Sequence, residues 1–203
     1  MTATPKGWYS RHYLPHFDQP GLVQAITFRL ADSLPRALVT SRERLGAALA
    51  DNRAHMHALL DRSLGSCALW DPRCAQLVED ALLYHDSERY RLLAWVVMPN
   101  HVHVLIETLP PVSLHRIVAT WKSYTARRIN ELLERSGPFW QSDYYDRYIR
   151  DEDHLARAVA YVHNNPVAAG LVARPVDWQW SSVRRLVGLD ATFHEPYEDA
   201  DAY

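Results

Sequence analysis

The chain has 203 residues, of which 48% are hydrophobic and 23% charged, which is the profile of a single packed domain and excludes global disorder. No apolar run approaches the roughly 20 residues that span a bilayer, and the two cysteines, Cys67 and Cys74, are too few for a disulfide framework. We therefore expect a cytoplasmic protein with reduced cysteines that pack in the core. The net charge of −2 argues at first sight against a nucleic-acid partner.

The acidic residues are unevenly distributed. Residues 190–203 contain Asp and Glu but no Lys or Arg, which leaves residues 1–189 weakly basic. We therefore divide the chain into a domain of residues 1–189 and an acidic C-terminal tail of residues 190–203.

The first predicted elements are a strand and two helices. A run of β-branched and aromatic residues at 23–30 follows a turn signal and predicts a strand. A pattern rich in Ala, Leu and Arg predicts a helix at 34–60. Asp71 and Pro72 predict the start of a second helix, whose core stripe comprises Ala75, Val78, Ala81 and Leu82.

Residues 90–97 and 102–107 predict the two strands of a hairpin. A helix at 113–135, a strand at 143–150 and a last helix from Asp151 to residues 164–166 follow. This order predicts an α+β fold of the ferredoxin-like or RRM-like kind, with a four-stranded, mainly antiparallel sheet, helices on one face and an additional C-terminal helix.

Two histidines alternate along the second hairpin strand. Because strand side chains alternate between faces, His101 and His103 point one way, whereas Val102, Val104 and Ile106 point the other way. The apolar face can pack on helices while the two imidazoles offer nitrogen atoms to one metal ion. A lone His-x-His pattern is a weak sign of metal binding, and its position after a hairpin turn strengthens it.

Tyr161 and Asn165 stand four residues apart on the last predicted helix and should share one face. Pro166 disfavours helical geometry at Asn165, so the spacing can be distorted there. Taken alone, a tyrosine in this position is more often a core residue whose hydroxyl bonds a backbone carbonyl.

Basic and aromatic residues alternate between residues 113 and 150. Arginine accounts for 20 of the 22 basic residues of the chain, and its guanidinium suits bidentate phosphate contacts. A basic, aromatic nucleic-acid face is one interpretation, and the Arg-rich codon usage of a high-GC genome is an equal alternative.

Nine short segments, spread over about nine tenths of the chain, resemble the HUH single-tyrosine transposases, in the branch of REP-associated tyrosine transposases. These segments are 13–17 (YLPHF), 26–30 (ITFRL), 94–103 (AWVVMPNHVH), 121–124 (WKSY), 139–141 (FWQ), 145–147 (YDR), 149–151 (IRD), 161–172 (YVHNNPVAAGLV) and 178–182 (WQWSS).

The resemblance implies that His101 and His103 bind a divalent ion, Mg²⁺ or Mn²⁺, and that Asn165 completes the protein ligands. It implies that Tyr161, on a C-terminal catalytic helix, is the nucleophile and forms a 5′-phosphotyrosine link with DNA. Related transposases often have Gln at the position of Asn165. Alternatives for the third ligand are therefore Glu107, His163 or a water molecule.

The resemblance further implies that the substrate is single-stranded DNA beside a hairpin from repetitive extragenic palindromes, and that the protein acts as a monomer or a homodimer. Tyr144 and Trp140 are candidates for stacking on bases, and Trp140 is more readily a core residue. Phosphate contacts are expected from four arginines, for which surface salt bridges are the equal alternative: Arg127, Arg128, Arg147 and Arg150.

Three other functions fit parts of the sequence. A metal hydrolase would need further ligands on other strands of a larger barrel, and a histidine-triad nucleotide hydrolase would need a third alternating histidine where Leu105 stands. A non-catalytic regulator that binds DNA hairpins through the same face is harder to separate, and Tyr161 together with both histidines argues against it.

Overall fold

A four-stranded sheet forms the centre of the molecule. The computed structural model describes residues 7–10, 15–34 and 59–189. Strands β3 (Val23–Arg29), β4 (Tyr90–Val97), β5 (His101–Thr108) and β6 (Tyr145–Tyr148) lie in the order β4-β5-β3-β6, and all three neighbouring pairs are antiparallel. The α+β fold with a four-stranded antiparallel sheet is thereby confirmed. Most of the helix predicted at 34–60 and the acidic tail at 190–203 lie outside the described residues.

Helices alternate with the strands along the described ranges: α1 (Pro72–Tyr84) precedes β4, α2 (Leu114–Leu132) lies between β5 and β6, and α3 (Glu152–Ala168) and the short α4 (Val183–Leu186) follow β6. Three of them begin where the sequence predicts. The side chains of Asp71, Ser113 and Asp151 accept hydrogen bonds from backbone N–H groups in the first turns of α1, α2 and α3. Among the described helices, none is both long and apolar enough to cross a membrane.

The two faces of the sheet have different roles. Val102, Val104 and Ile106 of β5 are fully buried in the main hydrophobic core. On this same face Trp95 donates a hydrogen bond from Nε1 to Glu79 of α1, and Phe28 of β3 stacks with Trp121 of α2. α1 and α2 therefore cover the apolar face, as predicted, and α3 contacts β4 and β5 beside the histidines of the opposite face.

The cysteines behave as core residues. Cys67 and Cys74 are buried and carry free thiols. Burial raises the pKa of Cys74 to about 11, so this thiol stays protonated and unreactive at neutral pH.

The end of the last long helix differs from the prediction. α3 continues through Pro166 to Ala168, although the sequence indicated an end at residues 164–166. A proline in the last turn removes only its own N–H, and the bonds from the backbone N–H of Ala169 to the Asn165 carbonyl and of Leu171 to the Pro166 carbonyl still form. Gly170, with φ of +70°, then closes the helix in the left-handed conformation. Asn165 consequently keeps its helical position below Tyr161.

A two-stranded hairpin that the sequence analysis missed lies at the edge of the sheet. β1 (Gly7–Ser10) pairs with β2 (Pro15–Asp18), and β2 contacts β6. His16 of β2 is completely buried and is hydrogen-bonded through Nε2 to Asp143 (2.9 Å) and through Nδ1 to Asp146. Asp146 also accepts a hydrogen bond from the backbone N–H of Phe17. One imidazole thus joins the hairpin to the β6 region.

This buried cluster predicts a pH-dependent stability. Burial opposes the charge on His16, but the hydrogen bonds and charges of Asp143 and Asp146 outweigh it and raise the pKa to about 9 from 6.5. Protonated His16 with its two carboxylate partners stabilises the folded protein fully below pH 6.5, and this contribution is lost above pH 9. We expect the free energy of unfolding to fall by about 3 kcal/mol over that interval.

Urea unfolding of wild type and His16→Asn at pH 6, 7.5 and 9 measures this effect. The variant should be less stable at pH 6 and should lack most of the decline that wild type shows. Parallel declines in the two proteins would contradict the assignment to His16.

Candidate active site

Two buried imidazoles form the centre of the site. His101 and His103 lie on β5, a strand bonded on both edges, and their residues are 0% and 3% exposed. Their Nε2 atoms lie 3.0 Å apart. The strand therefore brings the two histidines together as the alternation of its side chains predicted.

The remaining nitrogen of each ring has an oxygen partner. His101 Nδ1 lies 2.7 Å from the Asn100 side-chain oxygen, and His103 Nδ1 lies 2.8 Å from the Thr27 hydroxyl oxygen. Because the Asn100 oxygen only accepts, Nδ1 of His101 carries the hydrogen and its Nε2 keeps a lone pair. The Thr27 hydroxyl can accept in the same way from His103. Such partners orient metal-binding histidines in known sites.

Tyr161 of α3 lies over this pair. Its ring centre is 5.3 Å from that of His103 in an edge-to-face arrangement, and the residue is 41% exposed, which is unusual for a large aromatic residue with a core role. Partial burial, followed by the nearby charge of Asp61, raises the pKa of Tyr161, whereas Asn165 lowers it. The phenol is therefore protonated at neutral pH in the absence of a bound cation.

Asn165, one turn further along α3, is 1% exposed. A side-chain contact with Tyr161 at the limit of hydrogen bonding lowers the pKa of the phenol, and neither amide atom of Asn165 has a well-formed hydrogen bond among the described residues. A buried amide without partners is costly, and such groups in native proteins commonly mark a binding site.

Asp61 is the residue of this site that the sequence analysis missed. Its Oδ1 lies 3.8 Å from His101 Nε2 and is a buried oxygen without a hydrogen-bond partner. Burial raises the pKa of this carboxyl group to about 6. The sequence gives no signal for it, because Asp61 follows directly on a predicted helix and belongs to no motif.

These residues fit a divalent ion. Two nitrogen atoms that bind the same ion at about 2.1 Å lie about 3.0 Å apart when the angle between the two bonds at the ion is about 90°. The Nε2 atoms of His101 and His103 are separated by this distance. Within the described ranges, no three His, Cys, Asp or Glu side chains form a closed metal-binding cluster. The role of the Asn165 amide as a further ligand stays a prediction.

The alternatives to Asn165 are engaged elsewhere. His163 is bonded through Nε2 to the Ser182 hydroxyl at 2.8 Å, and burial lowers its pKa. Glu107 forms an ion pair of 2.9 Å with Arg91.

A groove of about 820 Å³ leads to the exposed side of Tyr161. It runs between the site face of the sheet and α3, and its basic lining residues are His103, Arg147, Arg150, His154 and Arg157. Burial, together with the charges of Arg147 and Arg150, lowers the pKa of His154, and Asp151 opposes this shift. Asp146 and Asp151 also line the groove. His154 and Arg157 were not identified from the sequence.

The other residues predicted to bind DNA lie apart from this groove. Arg127 and Arg128 are exposed on α2. Trp140 is a core residue that donates a hydrogen bond from Nε1 to Thr125, as the sequence favoured. Tyr144 is 4% exposed and packs on His16 with ring centres 4.4 Å apart, so base stacking would require its ring to leave this position. The DNA contacts of these side chains remain predictions.

Comparison with known proteins agrees with this geometry. Residues 70–165 match the family model described as IS200-like transposases, and this segment contains both histidines, Tyr161 and Asn165. Residues 70–165, just under half of the chain, are thus similar to IS200-like transposases. The resemblance to REP-associated tyrosine transposases is likewise confirmed by one curated relative of that name, and a solved structure of such a protein agrees in fold.

A Haemophilus influenzae protein named as a candidate REP-associated tyrosine transposase is 28% identical over 108 residues, which cover 48% of this chain and 61% of that protein. A second protein of the same organism, described as uncharacterized, is 28% identical over 102 residues, or 38% of this chain and 54% of that protein. The chain thus spans between half and two thirds of the curated relatives that it matches.

A solved structure of a REP-associated tyrosine transposase bound to a REP hairpin has a similar fold. The TM-score is 0.52 at 19% identity, and the match covers 96% of this chain and 93% of that chain. At this identity the likeness concerns the fold alone.

Proposed function

We propose that the protein is a metal-dependent single-stranded DNA transposase that cuts and rejoins DNA at REP-type hairpins through Tyr161. One observation carries this proposal. A partly exposed tyrosine packs on His103, whose Nε2 converges with that of His101, and lies one helical turn from a buried amide at the end of a groove that three arginines line. The matched family segment and the relative bound to a REP hairpin support it.

The chemistry assigns one role to each side chain. The Tyr161 oxygen attacks phosphorus and loses its proton to solvent, the tyrosyl O–P bond forms, and the P–O3′ bond breaks to give a 5′-phosphotyrosine and a free 3′-hydroxyl. His101, His103 and Asn165 would hold Mg²⁺ or Mn²⁺, and imidazole ligands favour Mn²⁺. When bound, the ion neutralises the phosphate and stabilises the leaving oxygen. Attack by a 3′-hydroxyl on the phosphotyrosine reverses these steps and rejoins DNA.

The position of Tyr161 supports assembly of the site within one chain. The helix α3 that bears the tyrosine packs on β4 and β5 of the same chain, and its ring lies beside His103. This arrangement supports cleavage by a monomer, because one chain then holds all the proposed catalytic residues.

The groove is proposed as the path of the single strand. Arg147 and Arg150 are exposed along it and suit phosphate contacts, with Arg157 on the facing helix. A strand that follows these residues reaches the hydroxyl of Tyr161.

The direct test is a denaturing-gel assay for a covalent DNA–protein adduct, with wild-type protein, single-stranded palindromic repeats from the flanking genome and Mn²⁺. An adduct supports the transposase. Hairpin binding without an adduct, across several repeats and metals, would point instead to a non-catalytic regulator that binds DNA hairpins.

We expect the double variant Arg147→Ala/Arg150→Ala to bind single-stranded DNA roughly 10-fold more weakly. Each lost phosphate contact should lower the slope of log affinity against log salt by about 0.7, because fewer counterions are released. Fluorescence anisotropy between 50 and 200 mM salt measures both quantities.

The matched control is Arg73→Ala/Arg91→Ala, which removes the same charge from exposed positions outside the groove. Equal losses of affinity in the two double variants would show a general charge effect and contradict the proposed path.

A further inference from the structure

We propose that Asp61 is a fourth protein ligand of the metal centre and supplies an anionic group, which the other three proposed ligands lack. This inference rests on the proposed function, because it concerns the ion that His101, His103 and Asn165 would hold. It assigns a role to a residue in the loop before α1, outside the IS200-like segment at residues 70–165.

The distances fit a shared ion. Two ligand atoms that each lie about 2.1 Å from one ion are at most about 4.2 Å apart. Asp61 Oδ1 lies 3.8 Å from His101 Nε2, which in turn lies 3.0 Å from His103 Nε2. Among the described residues these three side chains do not form a closed metal-binding cluster. Ligation by Asp61 therefore requires that its side chain move towards the histidines.

The hydrogen bonding of the site leaves this oxygen available. Asp61 Oδ1 is buried and has no hydrogen-bond partner among the described residues, and it lies 3.8 Å from Nε2 of His101. An unsatisfied carboxylate oxygen thus lies beside the pair of imidazoles. A purely structural carboxylate would be expected to bond a backbone or side-chain donor.

The chain holds Asp61 in place from both sides. Leu60 is fully buried in a small cluster with Leu34 and Leu59. Beyond Asp61, the Leu64 carbonyl accepts a hydrogen bond of 3.0 Å from the side chain of Asn100. The same Asn100 side chain accepts the bond from His101 at its oxygen, so one amide fixes both the loop of Asp61 and a metal-binding ring.

The other three proposed ligands carry no negative charge, which favours a carboxylate as the fourth. Two neutral imidazoles and one amide carry no net charge, and such a set binds Mg²⁺ or Mn²⁺ weakly because these ions favour carboxylate and other oxygen ligands. A carboxylate at this position offsets part of the ion's charge and favours these ions over softer ones.

The test is Mn²⁺ binding without DNA, measured by isothermal titration calorimetry and by the loss of the free-ion signal in electron paramagnetic resonance. We expect Asp61→Asn and Asp61→Ala to weaken Mn²⁺ binding at least about 10-fold. The matched control is Asp80→Asn on α1, which removes the same charge on the other side of the sheet and should bind as wild type does. Circular dichroism establishes that each variant is folded.

Three other outcomes are informative. Unchanged affinity in both folded Asp61 variants overturns the inference and leaves the proposed function standing. Equal weakening by Asp80→Asn overturns it as a general charge effect. Absence of Mn²⁺ binding by wild type overturns both the inference and the metal-dependent function.

Discussion

Tyr161→Phe is expected to abolish the covalent DNA adduct while leaving metal and hairpin binding within about twofold of wild type. The substitution removes one oxygen atom, and only that oxygen can form the bond to phosphorus in the proposed reaction. Because the residue is 41% exposed and its ring is retained, the fold should be unaffected. The measurement is the fraction of labelled DNA that migrates with the protein on a denaturing gel.

Tyr148→Phe is the matched control. Tyr148 is paired in β6 and packs on Phe17, away from the histidine face, so this variant should form adduct at the wild-type level. Residual adduct in Tyr161→Phe would mean that another residue is the nucleophile.

Removal of either imidazole is expected to have a comparably large effect. For His101→Ala and for His103→Ala we expect Mn²⁺ affinity to fall at least about 100-fold. Mutation of a residue that only supports a metal ligand lowers metal affinity about 10- to 100-fold, and loss of the ligand itself should have a larger effect. Adduct formation should fall below detection, because phosphate neutralisation and leaving-group stabilisation depend on the ion. Calorimetry and the adduct assay measure the two effects separately.

His115→Ala on α2 provides the control for loss of a histidine, since this residue lines a separate cavity. Both site variants leave a buried partner, Asn100 or Thr27, without its bond, which costs about 1–3 kcal/mol. Thermal unfolding must therefore show that they remain folded at the assay temperature. Full adduct formation by either folded variant would refute metal dependence.

Local pattern predicted the parts of the site that lie on single elements. Alternation along β5 placed His101 and His103 on one face, and the four-residue spacing placed Tyr161 above Asn165. The roles given to them came from the resemblance. The helix end at Pro166 was predicted wrongly because the local preference of a proline was weighted above the remaining hydrogen bonds of the last turn.

Contacts between distant residues were not predictable in the same way. His16 and Asp143 are 127 positions apart, and α1 and β4 lie between Asp61 and His101 in the chain, so no periodicity links either pair. Tyr144 illustrates the converse, because its position among basic residues favoured a DNA contact whereas the fold buries its ring against His16.

The pairing of β5 on both edges has a mechanical consequence. The two imidazoles lie on a strand that is bonded to both β3 and β4, whereas Tyr161 lies on α3, which follows β6 and packs on β4 and β5. In the proposed reaction, a cut DNA end has to be moved to a new partner strand. We expect the histidines to keep their positions during this movement and α3 to be the part of the site that moves.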